Sequence, residues 1–371
     1  MIALNAVSLR CLLRAAAAMV TVATLSGSLA AQSGRSWHFV VSGDSRNCGD
    51  VVMPAIAAGA KADGAAFFWH LGDDRAIYDF DQDYRALHPQ ATISQYEAQA
   101  WPDFIEHQLK PFGDMRVYLA IGNHETIPPK SRVDWASQFA DWLSAPSIRA
   151  QRLADDPSDH QLRTYYHWIE RSVDFITLDN ATPDQFDSAQ LAWVQRVLDR
   201  DTTSPDVRTV VVGMHEALPD SISSGHSMNE SPVGTLSGRL LYSELLKLQQ
   251  ASGKHVYVLA SHSHFVMSNV YATACRKPQD VLPGWIVGTA GAVRYRLPKD
   301  LAGSAVHQTD VYGYVLATVA NDGTIQFEFK QINPSDIPAS SVKEFGQATV
   351  DACFSDNKAD YVPQGAVCEK Q

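Results

Sequence analysis

The sequence predicts an α/β protein whose sheet mixes parallel and antiparallel strands. Three observations carry that expectation. Short apolar runs of strand length alternate with amphipathic stretches of helical period. Two late runs flank Asn321-Asp322-Gly323, a strong hairpin turn, which adds antiparallel pairing to strands otherwise joined by helical crossovers. No internal repeat or low-complexity linker interrupts the alternation, and 371 residues suffice for one large α/β domain or two modest ones.

Arg10 and Arg14 precede an apolar stretch, residues 15–25, and the small residues Ser28-Leu29-Ala30 follow. That is the layout of a secretory signal peptide over residues 1–30, cut after Ala30 or Ala31. The apolar segment is shorter than the roughly 20 residues a membrane span needs, so a periplasmic or secreted protein with no membrane attachment is expected. The strand-like runs then fall at 37–43, 65–72, 116–122, 173–179, 208–215, 254–261, 285–291, 312–320 and 324–332. Helical stretches lie between them at 51–62, 94–110, 135–143, 183–199 and 236–250; in the fourth, Phe186, Leu191, Val194 and Leu198 form a rough apolar stripe. The domain is expected to span 36–333. Beyond it, Pro334, Pro338 and Pro363 with few apolar runs read as an irregular tail, 334–371.

Past the signal peptide four cysteines remain, Cys48, Cys275, Cys353 and Cys368, an even count that suits two disulfides in an oxidising compartment. Of the three possible pairings, Cys353 with Cys368 would staple the tail and leave Cys48 with Cys275. No CxxC spacing supports a thiolate metal site instead. The formal charge is −11, and removing Arg10 and Arg14 takes it to about −13. Such a surface repels polyanions and no basic arm offsets it, which argues against nucleic acid as a partner. A small anionic substrate remains compatible where a bound metal reverses the field inside a cleft.

Five of the strand-like runs deliver a polar residue at their C-terminal end. FVVSG leads into Asp44, FFWHLG into Asp73, VYLAIG into Asn123-His124-Glu125, VVVGM into His215, and VYVLAS into His262 and His264. In an open α/β sheet those ends share one rim, where ligand sites form. His262 and His264, at i and i+2, would point the same way on extended backbone. Asp, Asn and His together suit a borderline divalent ion such as Zn, Fe, Mn or Co better than calcium, which takes oxygens. A carboxylate can also bridge two ions about 3.5–4 Å apart.

Taken in order, Gly43-Asp44, Gly72-Asp73, Gly122-Asn123-His124-Glu125, Val212-Gly213-Met214-His215 and Ser261-His262-Ser263-His264 resemble the signature blocks of the calcineurin-like metallophosphoesterases, the purple acid phosphatase branch in particular. The resemblance implies a four-layer α/β/β/α sandwich with two mixed sheets. It implies two divalent ions, one bound by Asp44, Asp73 and His264, the other by Asp73, Asn123, His215 and His262, with Asp73 bridging. With the signal peptide, it implies an exported protein, and by itself a hydrolase of phosphate monoesters or diesters in which a metal-bound hydroxide attacks phosphorus. Asn123 would steady the developing charge and His124 would protonate the leaving oxygen. The stretch DSAQLAWVQRVL, 187–198, resembles the helix that precedes the fourth block in such enzymes.

Departures from that pattern bear on the first ion. Arg46 stands where the first block usually has His, and Ala76 stands where purple acid phosphatases place a tyrosine ligand, with Tyr78 two positions on. Ser261 replaces a usual Gly. Three readings remain open: water completes the first site, Asn47 or Asp50 swings in, or only the second ion binds firmly. Arg46 either contacts substrate phosphate or forms a salt bridge to Asp50 or to another loop acid. Arg75 and Arg294 are further phosphate candidates, with a solvated face as the alternative for each. The insert 76–108, with Asp79, Asp81 and Asp83 at its start, would cover the rim. Tyr84, Tyr96 and Trp101 would stack on a base or sugar, or pack in the core. The loop 221–231 would bring His226 to the substrate. The alternative function is a catalytically degenerate relative that binds a phosphorylated ligand or partner without hydrolysing it.

Overall fold

Phe67 and Phe68 show how the layers arise, because neighbouring residues on a strand face opposite sides of the sheet. In the computed structural model, which describes residues 36–181, 185–301 and 303–368, Phe67 stacks on Phe39 at 5.3 Å and meets Phe175 edge-on at 5.1 Å, while Phe68 turns the other way onto Phe112 at 4.5 Å. The expected signal peptide, residues 1–30, lies outside the described residues.

Twelve strands form among the described residues: β1 (Trp37–Ser42), β2 (Ala65–His70), β3 (Arg116–Leu119), β4 (Tyr166–Glu170), β5 (Val173–Thr177), β6 (Thr209–Gly213), β7 (His255–Ala260), β8 (Val266–Ser268), β9 (Gly284–Val287), β10 (His307–Gln308), β11 (Tyr312–Val319) and β12 (Ile325–Ile332). They make two sheets, ordered β12-β11-β1-β2-β3 and β10-β8-β9-β7-β6-β5-β4. Both are mixed: β1, β2 and β3 run parallel, as do β5, β6, β7 and β9, and the outer strands join antiparallel. All nine expected strands form. The three that were not anticipated lie at or near a sheet edge, and β8 and β10 are too short for a period-2 pattern to register.

Aromatic side chains weld the two sheets face to face: Phe39 meets Phe175 at 5.0 Å and Trp69 meets Trp168 at 5.3 Å. Gly213 is needed for that approach, since a Cβ there would fall 2.2 Å from the Trp69 ring. Helices cover the outer faces, α1 (Gly49–Ala62) over the first sheet and, after the short helices α2 (Gln82–Leu87), α3 (Ile93–Phe104), α4 (Arg132–Gln138), α5 (Ala140–Leu143) and α6 (Pro146–Asp155), α7 (Ser188–Thr203) and α8 (Pro232–Ser252) over the second. Their starts are legible chemically. Asp187 accepts the Gln190 N–H at 2.7 Å, and Ser231 accepts that of Gly234 at 2.8 Å with Pro232 in the first turn. The expected stretch at 135–143 breaks at Phe139 into two pieces. No helix of the described residues is long and apolar enough to cross a membrane.

Two expectations need correction. The segment after residue 333 is not irregular throughout. It forms α9 (Ala339–Phe345) and α10 (Gln347–Ser355), whose Phe345, Val350 and Cys353 join the core. The disulfides are Cys48–Cys353 and Cys275–Cys368, not Cys48–Cys275 and Cys353–Cys368. The helix α10, which buries Val350 and Cys353, brings Cys353 beside the loop that follows β1, so the tail is pinned next to Asp44 rather than to itself.

Behind α6 and α7, His167 is buried with Nδ1 2.9 Å from both Asp174 oxygens and Nε2 against Asp155, and Arg200 reaches Asp174 at 3.0 Å. Burial alone would lower its pKa; the two carboxylates outweigh it and raise it to about 9. A histidine raised above its unfolded value stabilises fully below pH of about 6.5 and loses that contribution as pH rises toward 9. The melting temperature is therefore expected to fall between pH 6.5 and 9, by a term on the order of 2–3 kcal/mol from this residue. His167→Gln should flatten that slope; an unchanged slope in the variant would show that His167 does not carry it.

Candidate metal centre

Three of the site residues sit on backbone that a side chain normally avoids. Asp44, Asp73 and His262 have φ of 57°, 60° and 63°, in the left-handed region, which costs on the order of 1–3 kcal/mol each unless the surroundings hold it. The surroundings do. The Asp44 N–H donates to the Gly72 carbonyl at 2.9 Å, and the Ser45 N–H to that of Asp73 at 3.0 Å. Buried Glu125 accepts the N–H groups of Asp73 (3.0 Å), Asp74 (2.9 Å) and Gly122 (2.7 Å), tying the ends of β2 and β3 together. Gly122 has no room for a side chain, because a Cβ would lie 2.3 Å from Asp73 Oδ1.

Those turns aim their side chains at one point. His215 Nε2 lies 3.2 Å from Asp73 Oδ1, 2.9 Å from Asn123 Oδ1 and 2.9 Å from His262 Nδ1. The His262 backbone N–H donates to Asp44 Oδ2 at 2.6 Å, and His264 Nε2 lies 3.2 Å from Asp44 Oδ1. One donor atom from each of Asp44, Asp73, His215 and His262 falls within 4.8 Å of all the others. The outer ring nitrogens are fixed as metal-binding imidazoles usually are: His215 Nδ1 on the Leu71 carbonyl at 2.9 Å, His264 Nδ1 on that of Val293 at 2.6 Å. Ser261, standing where a glycine is usual, also reaches His215 Nδ1 at 3.1 Å.

The electrostatics ask for a cation. Asp44 and Asp73 are fully buried, and Asp44 Oδ1 and Asp73 Oδ2 have no hydrogen-bond partner. Burial raises the Asp73 carboxyl, yet His124, His215 and Arg46 outweigh it and hold it well below the usual range; in Asp44, His264 and His215 outweigh burial and lower the carboxyl. His262 is pushed well down by burial first and then by His215. Burial would lower His215, but Asp73 and Asp44 outweigh it and raise it to about 9, so a divalent ion would displace its proton. Two ionised carboxylates and the nitrogens of His215 and His262 form a donor set that fits a borderline divalent ion.

No protein-family profile matches the sequence, and no curated protein matches it. Solved structures do. A purple acid phosphatase from seeds of yellow lupin (Lupinus luteus) superposes over 89% of this chain and 54% of its own, with TM-score 0.52 and 15% identity. PhoD superposes over 86% and 77%, with TM-score 0.50 and 13% identity. The fold is that of the metallophosphoesterases. The chain spans about half the length of the lupin protein. A further alignment, to GAP50, the anchor in the inner membrane complex of Plasmodium, covers 88% and 97% at TM-score 0.48 and 12% identity.

Within this metallophosphoesterase fold Asp44, Asp73, Asn123, His124, His215, His262 and His264 converge. Arg46 joins them, pairing with Asp73 (Nε to Oδ2, 3.6 Å) rather than with Asp50. His226 is near as well, its ring stacked on that of His262 at 4.6 Å, and its loop is packed: Ser223 bonds Ser263 at 2.8 Å and the Ile222 N–H donates to the Val270 carbonyl. Arg75 does not face the site. It is buried among Asp50, Asp81 and Asp103, which use up its charge, so neither the phosphate contact nor the solvated face holds. Arg294 is turned onto the carbonyls of Phe354 and Asn357. Asn47 and Asp50 are engaged elsewhere, on the Val293 N–H and on Arg75. Tyr78 is 60% exposed, and its ring meets that of His124 at 5.2 Å. Tyr84, Tyr96 and Trp101 are core. A cleft of about 730 Å³ along α6 and α7, lined by Arg152, Trp193 and Arg196, shares no residue with the centre.

Sequence reasoning missed Tyr295, whose ring stacks on His264 at 4.0 Å, and the pair His70–Asp74, where Asp74 accepts Trp135 Nε1–H at 3.0 Å. Asp74 follows Asp73 directly, which was a usable signal; Tyr295 lies in a loop with no motif around it. Asp73→Asn is expected to lower divalent-ion binding by at least about 100-fold, beyond the loss typical of an outer-sphere change. Calorimetric titration with Zn²⁺ of chelator-stripped protein checks this, and wild-type affinity in the variant would remove Asp73 from the ligand set.

Proposed function

We propose that this chain is an exported, metal-dependent phosphoesterase acting on small phosphorylated substrates. The observation that carries the reading is the convergence of Asp44, Asp73, Asn123, His215 and His262 on one buried point inside a metallophosphoesterase fold. Two disulfides support an oxidising compartment. A divalent ion held by these residues supplies positive charge that acidifies water and offsets charge growing on phosphoryl oxygens.

The chain's own groups do the rest. Asn123 orients its amide beside the ion-binding atoms and leaves its N–H donors for an equatorial phosphoryl oxygen. Arg46, permanently charged, faces the same oxygens. His124 is held by a 2.7 Å contact between Nδ1 and the Ala76 carbonyl, so Nε2 faces inward, 3.6 Å from Asp73 Oδ2. Burial is the largest influence on this imidazole and brings it to about 4. It is therefore neutral at pH 7 by itself. The negative charge of a bound phosphate beside it favours protonation at Nε2, and that proton then passes to the departing alkoxide oxygen.

The test is phosphate release from a panel of monoesters and diesters by purified protein. Turnover abolished by a chelator and restored by one divalent ion is expected; no release from any ester after reloading would leave only a binding protein. His124→Ala should keep its metal and lose about 10²–10⁴-fold in kcat, most on poor leaving groups. Undiminished kcat on alkyl esters would remove the assigned role.

A further inference from the structure

Arg46 enters the centre from the loop after β1 and is only 6% exposed. Its Nη2 lies 3.2 Å from His264 Nε2, and its Nε lies 3.6 Å from Asp73 Oδ2. His264 spends its Nδ1–H on the Val293 carbonyl, so Nε2 points inward with its lone pair, and that lone pair receives a guanidinium N–H. Asp44 Oδ1 sits 3.2 Å from the same nitrogen. Asp44, Asp73 and His264 are the donors expected of one of the two ions, and a positive charge already stands among them.

The two faces of Asp73 divide accordingly. Oδ1 is turned to His215, and Oδ2 to Arg46. The donors that do crowd within 4.8 Å of one another belong to Asp44, Asp73, His215 and His262, with Asn123 Oδ1 2.9 Å from His215 Nε2; His264 is not in that group. A guanidinium offers no lone pair, so it cannot be a ligand, and it does not lose its charge at any ordinary pH. A second divalent ion would have to sit against it and share the same two carboxylates.

We propose that Arg46 takes the place of one metal ion: the centre holds a single divalent cation, bound by Asp44, Asp73, Asn123, His215 and His262, with the guanidinium of Arg46 as its fixed cationic neighbour. The inference rests on the metal-binding reading above and narrows it. Phosphate would then be gripped by an ion on one side and a planar donor on the other. Arg46 Nε, buried and without a hydrogen-bond partner, is placed to donate to it.

The experiment counts ions without using activity. Full-length mature protein, stripped with chelator, is titrated calorimetrically with Zn²⁺ and, separately, loaded with Mn²⁺ for elemental analysis and electron paramagnetic resonance. Wild-type is expected to bind one ion per chain and to show an uncoupled Mn²⁺ signal. Arg46→His restores a ligand and removes the charge, so it should bind two ions and show a magnetically coupled pair. Arg46→Gln, which removes the charge alone, should gain a weaker second ion. Circular dichroism and melting temperature check that both variants fold. Two ions in wild-type would overturn the proposal even if the variants fail to fold. So would a single ion in folded Arg46→His and Arg46→Gln alike. No bound ion in any protein would bring down the metal reading itself, and this inference with it.

Discussion

Two carboxylates with no access to water, Asp44 and Asp73, set the terms for the surrounding structure. A buried ionised carboxylate is costly unless charge or hydrogen bonds compensate it. Here the compensation comes from His124, His215, His264 and Arg46, each delivered by a different strand end or loop. The left-handed turns at Asp44 and Asp73 exist to aim those carboxylates, and the Glu125 carboxylate, accepting three backbone N–H groups, exists to hold one of those turns. Strain and satisfaction are paired within one small volume, as expected where geometry serves chemistry rather than stability.

A second buried ionic network stands behind the first. Arg75 binds Asp50, Asp81 and Asp103, while Asp81 and Asp83 also accept the N–H groups of Asn47 (2.6 Å) and Asp50 (2.7 Å). Those residues belong to the loop and helix start that follow Asp44. The Cys48–Cys353 disulfide grips the same loop from the tail. The insert after β2 therefore acts on the centre from behind, fixing the loop that carries Arg46.

How much of this was legible follows from how far each signal reaches along the chain. The five blocks at strand ends were visible because a buried strand leaves an apolar run and its end leaves an abrupt polar residue, both local features. The fate of Arg75 was not visible. Its partners Asp50 and Asp103 lie 25 and 28 residues away, and nothing in the spacing says that they meet. The tail was read as irregular because its prolines are local while the core that receives Phe345 and Val350 is not. The cysteine pairing failed for the same reason, since proximity in sequence favoured Cys353 with Cys368.

By itself, then, the sequence determined the alternation of strands and helices, the polar residues that close five of the strands, and the departure at Arg46. Only the tertiary structure decided which charges meet. It turned Arg75 and Arg294 away from the centre, brought Tyr295 toward it, and placed the Arg46 guanidinium between Asp73 and His264. The physical reason is that strand and helix periods are written in neighbouring residues, whereas a buried ion pair forms between whichever opposite charges the packed sheets leave face to face.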